Sequence, residues 1–135
     1  MLTNFPYTAL VIVIALAVYI WMAMRVGAAR GRYKVPAPSI DGPPEFLRVF
    51  RVHMNSLEQL IIFLPAIVLF AAYWGDMIAA GIGLFWPIGR IVFAVAYYKD
   101  AAKRGPGFGI SFLTSVVLLI GGLAGIVMRL ADAGP

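Results

Sequence analysis

Four long apolar runs dominate the chain, and most polar residues fall into the three gaps between them. A helix crossing about 30 Å of hydrocarbon needs roughly 20 residues. By that measure the pattern predicts transmembrane helices at about 6–24, 46–74, 77–98 and 108–130. The first run is uniformly apolar, the fourth is rich in Leu, Val, Ile and Gly, and the second opens with three unusually polar turns. Pro65 and Pro87 are expected to kink the second and third helices, which neighbours in a bundle can accommodate. The expected fold class is therefore all-α: one integral membrane four-helix bundle domain over residues 1–135.

The gaps differ in character. The first, Arg25 to Glu45, holds Arg30, Arg32 and Lys34, then Pro36, Pro38, Gly42, Pro43 and Pro44, a basic stretch running into a Pro-rich turn. The second, at Gly75 and Asp76, is very short and has no Lys or Arg. The third holds Lys99, Lys103 and Arg104 and ends in Gly105-Pro106-Gly107. With Arg25, Arg48 and Arg51 at adjacent helix ends, nine of the eleven Lys and Arg residues flank the first and third gaps. The positive-inside rule places both gaps in the cytoplasm and both termini on the other side.

Composition supports membrane residence. Of 135 residues, 62% are hydrophobic and 13% charged, and the mean hydropathy is +0.91, too little polar surface to cover a soluble domain of this size. The net charge of +5 would raise the question of nucleic acid, but topology accounts for where the basic residues sit. The absence of cysteine excludes disulfides, thiolate metal sites and a cysteine nucleophile. Tyr7 to Met24 is too long for a signal-peptide core and no small-residue cleavage site follows, so it is expected to stay as a helix.

The polar residues inside the second run are arranged. Arg48, Arg51, Asn55 and Glu58 are spaced 3, 4 and 3 apart and share one helical face, while His53 points off it. The third run carries Arg90, Phe93 or Ala94, and Tyr97 at similar spacing. Counting depth from Phe46 and Lys99 puts Glu58 roughly 18 Å and Arg90 roughly 14 Å in, close enough to pair. Two antiparallel helices would then enclose a polar pocket open to the cytoplasm and suited to an anionic ligand. Structural roles compete: a buried Arg–Glu pair can fix packing, and an asparagine can tie helices together. Arg25, Arg32, Lys34, Lys99 and Lys103 read as interfacial anchors.

Phe50 to Glu58, continued by Phe63-Leu64-Pro65, resembles the signature of the MAPEG superfamily, membrane-associated proteins in eicosanoid and glutathione metabolism. The shared form is Arg-x-x-x-Asn-x-x-Glu on a second helix after a Pro-rich loop, with further likeness in Gly89-Arg90, Tyr97 and the basic turn at Pro106. The resemblance implies a homotrimer with glutathione, as co-substrate, held between subunits, and no metal. It implies that Arg51, Asn55 and Glu58 bind glutathione from one subunit, with Tyr97, Arg90 and Arg48 in support, while His53 and Arg30 reach it from the neighbour. It also implies an arginine that stabilises the thiolate, Arg104 first and Arg30 second, and a hydrophobic or lipid-derived electrophile entering from the bilayer. Gln59, Phe93 and the Gly107-Phe108-Gly109 after Pro106 depart from the usual pattern, so the binding half is better preserved than the chemical half.

Two activities follow as expectations: a membrane-bound glutathione-dependent transferase or peroxidase, or a related protein that binds glutathione or lipid without catalysis. A small proton-coupled multidrug transporter would need a carboxylate on its first helix, and Pro6 to Met24 has none. A purely structural subunit would leave the matched polar faces of two helices unexplained.

Overall fold

The computed structural model describes residues 2–134, and among them there is no strand. Five helices follow in order: α1 (Pro6–Tyr33), α2 (Pro44–Trp74), α3 (Asp76–Gly83), α4 (Phe85–Lys99) and α5 (Gly105–Ala133). Short 3-10 turns precede α1 (Leu2–Asn4) and α5 (Ala101–Lys103). α3 and α4 together form one membrane-length segment, so four helical segments are long and apolar enough to span a bilayer. Helix is what such a sequence must adopt in hydrocarbon, because every backbone N–H and C=O needs an internal partner there.

The boundaries differ from expectation in three places. α1 continues past Met24 to Tyr33, because Ala28, Ala29, Arg30 and Arg32 favour helix and long arginines stay solvated beyond the apolar run. It stops at Lys34, whose left-handed φ of 55° lets its N–H bond back to the Arg30 carbonyl. α5 starts earlier than expected, at Gly105, with Pro106 in its first turn, where a missing N–H costs nothing. α2 continues through Pro65, whereas the third span is interrupted at Leu84. Pro87 explains the interruption, since it has no N–H for the Gly83 carbonyl. Leu84 keeps helical angles (φ −59°, ψ −27°) and its own N–H reaches the Ala80 carbonyl, so the chain does not turn there.

α2 packs against all the other helices, and α4 lies in the seam between α2 and α5. Polarity is inverted relative to a soluble bundle. Ile20, Ile61, Leu113 and Ile120 are about 60% exposed or more, while Ser56, Arg90, Ser111 and Ser115 are fully buried. Aliphatic side chains lose nothing by facing lipid, so the interior collects hydroxyls and small residues that hold helices together. Phe63 stacks on Trp86 with ring centroids 4.8 Å apart within the main apolar core. At the far end from the basic gaps, Asp76 caps α1 from outside: its carboxylate accepts from the N–H groups of Tyr7 (3.0 Å) and Thr8 (2.6 Å).

Gly107 marks the closest approach of α5 to α4: a Cβ there would run into the backbone nitrogen and Cα of Phe93. Gly109, on the same turn, would meet nothing within 4 Å. Gly107→Ala should therefore cost about 1–3 kcal/mol of stability and lower the unfolding midpoint in detergent, and Gly109→Ala should leave the midpoint unchanged or raise it. Equal midpoints for the two variants would contradict this packing.

Candidate functional site

At the end of the bundle where the two basic connections lie, α2, α4 and the start of α5 diverge around a cleft of about 410 Å³. Its lining includes Arg51, Asn55 and Glu58 from α2, Phe93 and Tyr97 from α4, and Arg104, Gly105 and Phe108 at the entry to α5. The spacing of α2 puts Arg51, Asn55 and Glu58 on successive turns of one face, and the antiparallel course of α4 brings Tyr97 opposite. Phe93 is buried and meets the edge of Tyr97 at 5.4 Å, giving one wall an aromatic surface. The Arg104 guanidinium lies 5.9 Å from the Tyr97 ring centroid and donates to the Ala101 carbonyl at 2.6 Å, which holds it at the rim. Arg51, Glu58 and Arg104 are exposed; Asn55 and Tyr97 are half-buried.

Arg90 lies behind the cleft wall, fully buried. Its Nε and Nη2 both donate to Ser111 Oγ (2.9 and 2.6 Å), and Nη1 donates to Asn55 Oδ1 (2.7 Å) and Ser56 Oγ (3.3 Å). Ser111 in turn donates to the Phe108 carbonyl at 3.1 Å. The guanidinium carbon sits 4.3 Å from the Phe93 ring centroid. The Glu58–Arg90 pairing expected from depth alone is thus replaced by hydrogen bonds to neutral groups. Arg90 points into the α2–α4–α5 seam, where Ser56 and Ser111 are, while Glu58 lies a turn further along α2 on its exposed side.

This arrangement decides how Asn55 presents itself. A guanidinium only donates, so the amide oxygen must face Arg90, which leaves the NH₂ for the cleft. Arg51, Arg104 and the Asn55 amide then offer donors, and the Glu58 carboxylate is the anionic acceptor. Such a lining suits a ligand that carries both carboxylate and ammonium groups.

The other residues singled out from sequence lie elsewhere in the chain. Arg48 donates from Nε to the Tyr98 carbonyl at 3.1 Å and ties α2 to the end of α4. Arg30 donates to the carbonyls of Val35 (3.3 Å) and Ser39 (2.6 Å), bracing the α1–α2 connection over Phe46. His53 stacks on Tyr19 of α1 with centroids 4.7 Å apart. Ser56, Ser111 and Phe108 were not anticipated. Ser111, together with Thr114 and Ser115, interrupts an otherwise apolar run, and that interruption was the available signal. Among the described residues, no group of three or more His, Cys, Asp or Glu could hold a metal.

Four membrane-length helices around a polar cleft, with apolar side chains turned outward, define a multi-pass integral membrane protein with a polar cleft open at one end of the bundle. The MAPEG family model matches residues 8–124, and the chain belongs to that family. It is 41% identical over 128 residues to an uncharacterized protein of Synechocystis sp., covering 95% of this chain and 93% of the relative. It is 35% identical over 112 residues to human microsomal glutathione S-transferase 2, covering 83% and 76%. It is 30% identical over 96 residues to mouse leukotriene C4 synthase, covering 71% and 64%.

An ammonium cannot reach Asn55, Ser56 and Ser111 together as a forked guanidinium does. Arg90→Lys is therefore expected to lose on the order of 2 kcal/mol of stability in detergent. Arg51→Lys, at an exposed position, should stay within about 0.5 kcal/mol of the parent. Denaturant titration of the two variants checks the contrast, and a stable Arg90→Lys protein would refute the role given to the seam.

Proposed function

We propose that the protein is a glutathione-dependent transferase of the membrane, acting on hydrophobic electrophiles, with peroxide reduction as a related activity of the same thiol. The observation that carries this reading is the convergence of Arg51, Asn55, Glu58, Tyr97 and Arg104 on one cleft in a bundle whose outer surface is apolar. The names of two relatives, microsomal glutathione S-transferase 2 and leukotriene C4 synthase, support it.

In this reading Arg51 and the Asn55 NH₂ hold a glutathione carboxylate, Glu58 holds the ammonium, and Tyr97 hydrogen-bonds alongside. Arg104 faces the sulfur. A free thiol has a pKa of about 8.5, and a guanidinium beside it raises the thiolate fraction at neutral pH. The thiolate then attacks an electrophilic carbon that reaches the cleft from the bilayer. A C–S bond forms, the bond to the leaving group breaks with its electron pair, and the thiol proton leaves to solvent.

Arg30 and His53, which lie outside this chain's own cleft, serve a neighbouring copy in a homotrimer. Both basic connections lie in the cytoplasm, so the cleft opens where glutathione is dissolved.

Glutathione titrated into the detergent-solubilised protein should raise the melting midpoint saturably and produce the ultraviolet absorbance of a bound thiolate. Arg104→Ala should keep the stabilisation and lose the thiolate signal by about tenfold or more, as expected for one charge-assisted hydrogen bond. Arg51→Ala should weaken binding itself. If glutathione neither stabilises the protein nor ionises, the assignment fails; if it binds without ionising, the protein is a binder and not a transferase.

A further inference from the structure

α1 carries a second furrow, unrelated to the cleft, that changes character along its length. Within the span, Ile14, Ala17, Val18 and Trp21 form with Ile91 of α4 an apolar trough of about 330 Å³. Beyond Met24, Arg25, Ala28, Ala29, Arg32 and Tyr33 form with Val49 of α2 a partly polar trough of about 250 Å³. At about 100° per residue, eight of the nine α1 positions lie within roughly 60° of one line down the helix and Tyr33 flanks it, so the two troughs follow one another along the same side of α1.

The chemistry of each half matches its depth. The apolar half has almost no polar surface, as an acyl chain requires. The polar half begins where the apolar run ends, which is where a helix leaves hydrocarbon for headgroups. Alanines at 28 and 29 keep its floor low, and two arginines two turns apart stand at its ends. The Arg25 guanidinium stacks 4.6 Å from the Tyr98 ring centroid, and that of Arg32 lies 5.5 Å from that of Tyr33, so both are held in place by rings. No carboxylate lines the trough, and none occurs in the chain before Asp41. Trp21 meets Tyr98 edge-on at 6.0 Å at the junction, an aromatic pair where hydrocarbon gives way to headgroups.

We propose that this furrow binds one anionic phospholipid, its phosphate between Arg25 and Arg32 and one acyl chain along Ile14 to Trp21. The nine-residue extension of α1 beyond Met24 supplies the headgroup half, which a helix ending at the apolar edge would lack. The bound lipid braces α1 against α2 and α4 at a place where the chain alone leaves two guanidinium groups without a counter-charge.

The test uses the full-length protein in neutral detergent doped with phosphatidylglycerol or with phosphatidylcholine of the same acyl chains, reading the melting midpoint. Phosphatidylglycerol should stabilise saturably and beyond phosphatidylcholine. Arg32→Gln and Ala28→Leu should melt as the parent does without lipid. Both should need more phosphatidylglycerol for half the effect, about fivefold more for Arg32→Gln, the loss expected on removing one basic contact at an anionic surface. Ala28→Leu keeps both arginines and so separates a built site from general charge attraction. Equal stabilisation by the two lipids, an undiminished response in both variants, or the same saturable shift with inorganic phosphate alone would each overturn the proposal.

Discussion

A guanidinium buried at the junction of three helices is costly unless every neighbour is arranged to receive it, and Arg90 is the group around which this bundle is ordered. Ser111 from α5 takes two of its N–H groups, and Asn55 and Ser56 from α2 take a third direction. Gly107 lets α5 come close enough for Ser111 to do so, and Phe93 shields the charge from one side. Shifting any of the three helices along its axis by a residue would separate these partners. The seam therefore sets the register of α2, α4 and α5, and with it the positions of every residue that lines the cleft.

The same hydrogen bond that satisfies Arg90 also turns Asn55, so the packing of the seam and the face Asn55 shows to the cleft are coupled at one amide. Were Arg90 absent, the amide could present either its oxygen or its nitrogen to the cleft. With it present, the cleft offers donors along Arg51, Asn55 and Arg104, and Glu58 is left unpaired with Arg90 and free to meet a cation. A polar site built on rigid helices and backed by a satisfied buried network is held more firmly than one built on loops. Only Arg104 and Gly105 come from a connection, and Arg104 is steadied by the Ala101 carbonyl and the Tyr97 ring.

α1 stands apart from that network. It is the least buried of the four spans, with 22% of its most apolar stretch covered, and it contributes nothing to the lining of the cleft. Its polar attachments are near its ends, where Asp76 caps its first turn and Arg30 braces the connection that leads to α2, while Val11, Ala15 and Met22 pack it into the core between them. Its exposed faces along the span are apolar, as lipid contact requires. His53, stacked on Tyr19, joins α1 to α2 at the level of the cleft but on the other side of α2.

By itself the sequence determined the membrane spans, because runs of about 20 apolar residues have no other stable home and can only be helical there. It also determined the α2 face of Arg51, Asn55 and Glu58, because helical periodicity is local, and the family, because the motif is local too. Depth counting brought Arg90 to the right level but to the wrong partner, since distance along two axes says nothing of rotation about them. That Arg90 turns to Ser111 and Asn55, that Arg48 and Arg30 bond backbone carbonyls, and that Phe108 lines the cleft were decided by how the helices and the α1–α2 connection pack. Rotation and close approach depend on side chains far apart in the chain, such as Gly107 against Phe93, and no local pattern encodes them.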